Sequence, residues 1–374
     1  MKNRGWSHPR GWITLLCCAV MALFTGSAQA EEGEQVDSTA RSAVLIERET
    51  GKVLLSCNSR EKLPMASTTK VMTALIALEY GKLDEIVTVG RNAYGVPGTS
   101  IYLNLGEKIT LRDLLYGLML QSGNDAAMAL AIYCGGTVEG FAEMMNDKAR
   151  ILGLENSHFV NPSGLDDPNH YSTARDLAHL AAYAMQNPIF RQTVSTKTVS
   201  AGNRRLTNHN KLLWRVDGAD GIKTGYTRAA GRILVSSAVQ KGRRLIAVTI
   251  QAPNDWNDHK QLFQNGFANY AEVNLVTEGD CLGYAALIGG ETQTVPLIAA
   301  ESFHFSIASW EKPELVVKET QMHYAPVAFG QNAGTAYVCI DGKTVGRIQL
   351  VYGETVELCK ESKKSIWDKL FGSE

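Results

Sequence analysis

The spacing of apolar residues changes twice along this chain, and those two changes limit its fold more than any other feature. Residues 42–58 hold two short apolar runs, 43–46 and 53–55, on either side of the turn-like Glu49-Thr50-Gly51-Lys52, which predicts a β-hairpin. Helical periodicity then takes over: residues 67–80 place Val71, Leu75 and Leu78 on one stripe, with Gly81 just past the end. Helices are also expected at 111–120, 125–134, 138–152, 173–185 and 257–270, with a Gly-, Pro- and Asn-rich loop at 156–171. Strand-like segments return at 222–226, 232–239 and 245–250, the last two joined as a hairpin across Gln240-Lys241-Gly242-Arg243. Helices in the middle with strands at both ends predict an α+β domain. After Val273, short alternating segments at 292–298, 315–317, 335–340, 344–352 and 355–358 predict a small all-β domain.

A chain of 374 residues accommodates two such domains. Its 37 basic and 38 acidic residues nearly cancel and form no dense cationic stripe, which argues against a nucleic-acid partner. Lys2, Arg4 and Arg10 precede an apolar run at 13–24 and then Ala28-Gln29-Ala30, the three-part pattern of a secretory signal peptide. The apolar run is shorter than the ~20 residues that a spanning helix needs. Cleavage after Ala30 leaves 34 basic against 38 acidic residues and an exported protein. Cys17 and Cys18 lie inside the apolar run, without the small residues that precede a lipidated cysteine. The other five cysteines, Cys57, Cys134, Cys281, Cys339 and Cys359, are odd in number and lack metal-ligand spacing, so buried free thiols are expected.

Chemistry concentrates in three short motifs. Ser67-Thr68-Thr69-Lys70 opens the first strong helix and sets a hydroxyl and an amine three residues apart, on one helical face. A serine hydroxyl is a weak nucleophile until a base takes its proton, and a lysine whose charge is disfavoured by burial and by cationic neighbours can be that base. The helix N-terminus also favours negative charge developing on oxygen. Alone, the tetrapeptide is common, and Ser67 reads equally well as a helix cap. Ser122-Gly123-Asn124 follows 55 residues later between two helices, and Lys223-Thr224-Gly225 opens a strand 101 residues further on. Each is weak by itself. Their joint occurrence in this order matches the serine-lysine, serine-x-asparagine and lysine-threonine-glycine set of penicillin-interacting acyl transferases.

The resemblance extends to Gln121-Ser122-Gly123-Asn124-Asp125-Ala126, Asn161-Pro162-Ser163-Gly164-Leu165-Asp166, Tyr171-Ser172-Thr173-Ala174-Arg175-Asp176 and Asp220-Gly221-Ile222-Lys223-Thr224-Gly225-Tyr226-Thr227. On these motifs the sequence resembles the serine D-alanyl-D-alanine carboxypeptidases, the low-molecular-mass penicillin-binding proteins that trim peptidoglycan stem peptides, over nearly the whole mature chain. The resemblance implies Ser67 as acylated nucleophile and Lys70 as its base, with Ser122 and Lys223 relaying a proton to the departing D-alanine. It implies that Asn124 holds the substrate's peptide group and that Thr224, beside Lys223, binds the terminal carboxylate. Gly225, without a Cβ, would let substrate lie along the strand, and the backbone N–H groups of Ser67 and Tyr226 would form the oxyanion hole. It implies neither a metal nor an organic cofactor, and β-lactams as covalent inhibitors. The expected plan is a signal peptide at 1–30, the catalytic domain at 31–272, a β-rich domain at 273–359 and a short tail at 360–374.

Alternative readings are weaker. A class A β-lactamase adds a loop glutamate that activates water, but the loop at 156–171 carries Gly164-Leu165-Asp166 instead. A D,D-endopeptidase shares all three motifs. A non-catalytic penicillin sensor would need a spanning helix after the signal peptide. A zinc peptidase would need His-Glu-x-x-His, which His158, His170, His179, His209 and His259 do not form, and His179 on its apolar helix reads as a packing residue. In the tail, Ile366, Trp367, Leu370 and Phe371 share one helical face beside Lys363, Lys364 and Lys369, which predicts an interfacial membrane anchor, with packing of Trp367 on the β-domain as the alternative.

Overall fold

The computed structural model describes residues 33–317 and 322–359. The expected signal peptide and the amphipathic tail both lie outside the described residues. In the first part of the chain, strands β1 (Glu34–Gln35), β2 (Ser42–Glu47), β3 (Val53–Cys57), β4 (Ile86–Thr88), β5 (Lys108–Thr110), β6 (Thr198–Ala201), β7 (Arg204–Thr207), β8 (Ala219–Thr227), β9 (Gly231–Gln240) and β10 (Arg243–Ile250) alternate with seven helices. These are α1 (Lys70–Tyr80), α2 (Leu111–Leu120), α3 (Asn124–Gly135), α4 (Val138–Ile151), α5 (Ala174–Ala184), α6 (Pro188–Ser195) and α7 (Asp255–Asn269).

The central sheet has the order β1-β3-β2-β10-β9-β8, antiparallel apart from the β1–β3 pair, and β8 forms one edge. Both faces of the sheet are covered, which explains why every residue of β2 is buried although alternation would be expected of a half-exposed strand. Val44, Ile46, Ile233 and Val235 pack toward the helical lobe of α1–α6. Leu45, Leu54, Leu234 and Leu245 pack under α7 with Leu262 and Phe263. Helix α1 runs through the helical lobe and is buried from Lys70 to Ala77. The side chains of Thr110, Thr137 and Thr173 cap α2, α4 and α5 by accepting backbone N–H groups three residues on.

The second part comprises β11 (Tyr270–Val276), β12 (Cys281–Ile288), β13 (Thr294–Ala299), β14 (Phe303–Ala308), β15 (Pro313–Val317), β16 (His323–Tyr324), β17 (Asn332–Ile340) and β18 (Lys343–Tyr352). It is all-β, with a β11–β14 ribbon and a sheet of order β15-β17-β18-β13-β12-β16 around its own apolar core. Tyr270 Oη donates to Leu54 O at 2.8 Å, and Lys52 Nζ donates to Ser306 O at 2.8 Å and pairs with Glu311, tying this part to the central sheet. The architecture is thus the expected α+β arrangement followed by a β-rich region.

Three local expectations change. The first turn of the 67–80 segment is a 3-10 turn, Ala66–Thr69, and the α-helix begins only at Lys70. Ala66 sits at φ +44, and Thr68 N donates to Met65 O, a three-residue spacing incompatible with a regular α-helical start. Residues 355–358 form isolated bridges, Val356 to Val327 and Leu358 to Gly290, in place of a strand. Of the five cysteines only Cys339 is buried; all are free thiols, and Cys281 and Cys359 are exposed because one lies at an irregular register of β12 and the other follows the last bridge. Among the described residues no helix is long and apolar enough to cross a membrane.

Candidate active site

The 3-10 turn is what brings Ser67 and Lys70 together. With three residues per turn, side chains at i and i+3 eclipse. Lys70 Nζ lies 2.9 Å from Ser67 Oγ, 2.7 Å from Asn124 Oδ1 and 2.6 Å from the Ser163 carbonyl. Asn124 Nδ2 donates to Pro97 O at 2.7 Å, so the amide must present its oxygen to the lysine. An ammonium would donate to all three oxygens. A neutral amine has two N–H bonds, which Asn124 and Ser163 take as obligate acceptors, leaving its lone pair facing the Ser67 hydroxyl. Complete burial, then the nearby charge of Lys223, hold the Lys70 pKa well below the ordinary lysine value, with Asp125 opposing, which shifts the balance toward the neutral amine.

Ser122 connects α2 to α3 at φ +61, an uncommon conformation for a residue with a side chain, and lies 6% exposed on the cleft wall. Its hydroxyl makes no hydrogen bond among the described residues. Asp125, one residue into the next helix, accepts from Ile101 N at 3.1 Å, Leu103 N at 3.0 Å and Ser100 Oγ at 2.6 Å, fixing the loop that carries Thr99. Thr99 O in turn accepts the Asn124 N–H at 2.7 Å.

Edge strand β8 closes the other side. A Cβ on Gly225 would stand 3.3 Å from Ser67 N and 3.3 Å from Ala66 Cβ, so the strand runs directly against the 3-10 turn that carries Ser67. Lys223 is 1% exposed, donates to Thr224 O at 2.7 Å and has its pKa pulled down to about 7 by burial. Thr224 is half-buried and Tyr226 exposed. Ser67, Ser122, Thr224, Gly225 and Tyr226 all line one cleft of about 340 Å³, with Lys70, Asn124 and Lys223 buried. All eight residues singled out from the sequence therefore fall on this cleft or directly behind it.

Several contributors were not foreseen. Ser163 acts through its carbonyl, which carries no side-chain signature. His170 clamps the loop at 156–171 to the 3-10 turn: its Nδ1 accepts from Val160 N at 3.0 Å, so Nε2 carries the proton toward Thr69 Oγ1 at 2.7 Å. His209, Lys211, Arg232, Asp255 and Trp256 line the same cleft. The pattern that marks Asp125 and His170 is their place beside the motifs, one after Asn124 and the other within the loop.

Comparison with known proteins agrees with this geometry. A family model described as D-alanyl-D-alanine carboxypeptidase matches residues 27–254, and one described as penicillin-binding protein 5, C-terminal domain, matches residues 270–358. The chain is 34% identical over 352 residues to D-alanyl-D-alanine carboxypeptidase DacF of Bacillus subtilis, covering 89% of this chain and 90% of the relative. It is 35% identical over 363 residues to D-alanyl-D-alanine carboxypeptidase DacC of Escherichia coli, covering 91% and 90%. The crystal structure of penicillin binding protein 5 from Haemophilus influenzae matches with a TM-score of 0.74 at 31% identity, over 86% of this chain and 98% of that one. A serine held beside a buried lysine on a 3-10 turn and packed against an edge strand, in a chain matched over most of its length by D-alanyl-D-alanine carboxypeptidases, establishes that this protein belongs to the D-alanyl-D-alanine carboxypeptidase family.

Proposed function

We propose that this protein is exported and removes the terminal D-alanine from peptidoglycan stem pentapeptides through an acyl-enzyme on Ser67, the same serine being acylated by β-lactams. The observation that carries this reading is the 2.9 Å contact between Ser67 Oγ and a buried Lys70 whose two other hydrogen-bonding directions are already taken. Lys70 accepts the Ser67 proton as Oγ attacks the carbonyl of the penultimate D-alanine. The oxyanion receives backbone N–H groups of Ser67 and Tyr226, worth roughly 3–4 kcal/mol each. Asn124 holds the substrate's peptide group, while Thr224 and Lys223 hold its carboxylate. Collapse of the tetrahedral intermediate breaks the C–N bond; the departing amine takes a proton from Lys223 through Ser122, and the proton that Lys70 took from Ser67 replaces it on Lys223, so Lys70 is neutral again. Water then attacks the ester and gives its proton to Lys70, which passes it to Ser67 Oγ as the ester C–O bond breaks, regenerating Ser67.

Residues 31–272 serve as the catalytic domain and 273–359 as a stalk or partner surface that contributes none of the three motifs. The apolar face at Ile366, Trp367, Leu370 and Phe371 attaches the protein weakly to the outer face of the membrane after removal of residues 1–30. Deleting residues after Leu358 should abolish flotation with anionic liposomes without reducing penicillin labelling; equal flotation of both forms rejects the anchor.

Incubation of the purified mature protein with a pentapeptide ending in D-Ala-D-Ala, followed by mass spectrometry, tests the central reading. Release of a single D-alanine supports it. Cleavage of cross-linked dimers without D-alanine release identifies an endopeptidase, and penicillin labelling without turnover of either identifies a sensor.

A further inference from the structure

The β-rich region carries an apolar sheet face that is left open among the described residues. In β12 the exposed positions alternate: Tyr284, Ala286 and Ile288 point outward, while Ala285 and Leu287 point into the core of the region. Ile288 stands beside Tyr324 of β16 in parallel register, and Leu287 beside the buried His323, so Ile288 and Tyr324 share the outer face. On β13, Thr294 and Pro296 are the outward partners of Ala286 and Tyr284. Tyr284, Ile288 and Tyr324 are 64%, 50% and 59% exposed, and no charged residue stands at these positions. A sheet with one face in water ordinarily alternates apolar inside and polar outside. The outward positions of β18 obey that rule with Arg347 and Gln349, whereas β12 and β16 break it.

The tail departs beside this face. Leu358 bridges Gly290, and Cys359 N donates to Gly289 O at 2.8 Å, so residues 360–374 follow directly from the end of β12, next to Ile288. Leu358 is itself exposed and lies against Gly289, where a Cβ would stand 3.9 Å from its Cδ2. The chain from Cys359 to Ile366 reaches roughly 25 Å when extended, against about 13 Å from Tyr284 to Ile288. In sequence, Ile366, Trp367, Leu370 and Phe371 share one helical face. A helix about 10 Å wide spans two strands spaced about 4.8 Å apart, the width of the β12–β16 pair. Lys360, Lys363 and Lys364 precede that apolar face with Glu361 among them. Glu291 and Glu357 lie exposed where the tail departs, Glu291 N donating to Glu357 O at 3.0 Å, so the charges of the tail and of its point of departure are complementary.

We propose that the outer face of β12 and β16 is the docking site of the chain's own tail, residues 360–374, which covers it when no membrane holds the tail. A short tether keeps the two partners at an effective concentration on the order of millimolar, so a contact too weak to join separate molecules suffices within one chain. The side chains that insert into lipid are the ones that pack on the sheet. The two states therefore exclude each other, and the apparent lipid affinity falls in proportion to the fraction of chains left undocked. Docking stands on the β12–β16 face alone; its competition with lipid rests on the proposed membrane attachment of the tail.

A photo-reactive benzophenone side chain in place of Trp367, in the otherwise intact mature protein without lipid, reports the contact. Cross-links mapped by mass spectrometry should fall on peptides containing β12 or β16, within one chain and independent of protein concentration. Ile288→Ser/Tyr324→Ser should abolish them, whereas Val316→Ser on the exposed β15 should not. Unchanged melting and penicillin labelling verify that these surface changes leave the fold intact. With anionic liposomes the double variant should float at about 3- to 10-fold lower lipid concentration than the wild type, because no docked state competes. Absent cross-links, or cross-links to other elements, overturn the inference, as do cross-links formed only between chains, which make a second copy the occupant. Weaker flotation of the double variant overturns it by showing that the face itself touches lipid, and equal flotation by showing that nothing holds the tail back. If neither form floats, the anchor reading fails alone, and the lipid-free cross-links still decide the docking.

Discussion

Gly164 and Ala66 meet so closely that a methyl group at Gly164 would stand 1.8 Å from the Ala66 carbonyl oxygen. Both residues have positive φ, +85 and +44, and Ala66 directly precedes Ser67. Lys70 Nζ donates to Ser163 O and Thr73 Oγ1 to Pro162 O at 2.7 Å, so the loop at 156–171 and the nucleophile turn hold each other in place. The position of Ser67 is therefore set by a segment about a hundred residues away in sequence.

Gly164→Ala should reduce the acylation rate about 100-fold or more, because relief of the overlap must displace either the loop or the turn, and a shift of about 1 Å is enough for such a loss. Gly153→Ala provides the comparison. Gly153 also has positive φ, +69, but a Cβ there would meet nothing within 4 Å, so only the backbone cost of roughly 1 kcal/mol is expected, with acylation unchanged. Stopped-flow acylation by a chromogenic β-lactam together with thermal melting separates the two effects.

Ser67→Ala should abolish both D-alanine release and covalent labelling by fluorescent penicillin. Lys70→Ala leaves the hydroxyl without its proton acceptor and should slow acylation by about 10²–10⁴-fold. Retained labelling in the first variant, measured on denaturing gels, or wild-type acylation in the second would contradict the assigned roles.

The two buried lysines predict a bell-shaped pH profile. Lys70 must be neutral to accept a proton, and its pKa lies well below the ordinary value, so kcat/KM should fall only as acidity restores its charge. Lys223 must be protonated, and with its pKa near 7 in the free protein the alkaline limb of kcat/KM should begin about there. A bound substrate carboxylate favours the charged lysine, so the alkaline limb of kcat should lie at higher pH than that of kcat/KM. Coincident limbs would show that Lys223 does not sense the substrate anion.

How much of this was readable beforehand depended on the range of the contacts. The serine-to-lysine spacing is local chemistry, and together with the two later motifs it singled out both residues; the helices that carry threonine caps followed from periodicity. The 3-10 turn was not readable, because Ala66 takes its conformation from Gly164 and Gly225 pressing on it across the fold. Helix α6 was missed although Asn187 caps it and Pro188 occupies its first turn, a signal that its short apolar pattern concealed. Strands β11, β12 and β14 were likewise absent from the expected pattern: β11 and β12 are largely exposed, whereas β14 carries a short apolar-polar alternation, Phe303-His304-Phe305-Ser306-Ile307, that was overlooked. Arg232, 9 residues beyond Lys223, belongs to no motif, and its place in the cleft arises only from strand pairing.

Acid should destabilise the fold through two histidines. Burial lowers His170 to about 4 and His259 to about 3, and His259 is held between Ser236 and Thr249. Below the ordinary histidine value of 6.5 the unfolded chain takes up protons that the folded chain refuses, so stability falls as pH drops from 6.5 toward 4, by roughly 3 kcal/mol for His170. Urea unfolding between pH 7 and pH 4 should show this slope, and His170→Gln should flatten part of it. An unaltered slope in that variant would assign the acid lability elsewhere.

The penicilloyl-enzyme should persist for minutes or longer while the peptidyl acyl group turns over. Within the loop at 156–171 the carboxylates are Asp166 and Asp167. Asp166 Oδ1 accepts from Thr227 Oγ1 at 2.7 Å and Asp167 Oδ1 from Asn169 N at 2.7 Å, so each is engaged in holding the loop. Attack of water on the ester therefore relies on Lys70, the same base that formed it. After the carbon–nitrogen bond of a peptide breaks, D-alanine diffuses away and opens the space above the ester. After a β-lactam ring opens, the leaving amine stays tethered to the acyl group and occupies that space, blocking the approach of water. Intact-protein mass spectrometry after a penicillin pulse should show a long-lived adduct, whereas the pentapeptide should give steady release of D-alanine. Rapid loss of penicillin absorbance at catalytic enzyme concentration would mean that water reaches the ester regardless, and would return the β-lactamase reading to contention.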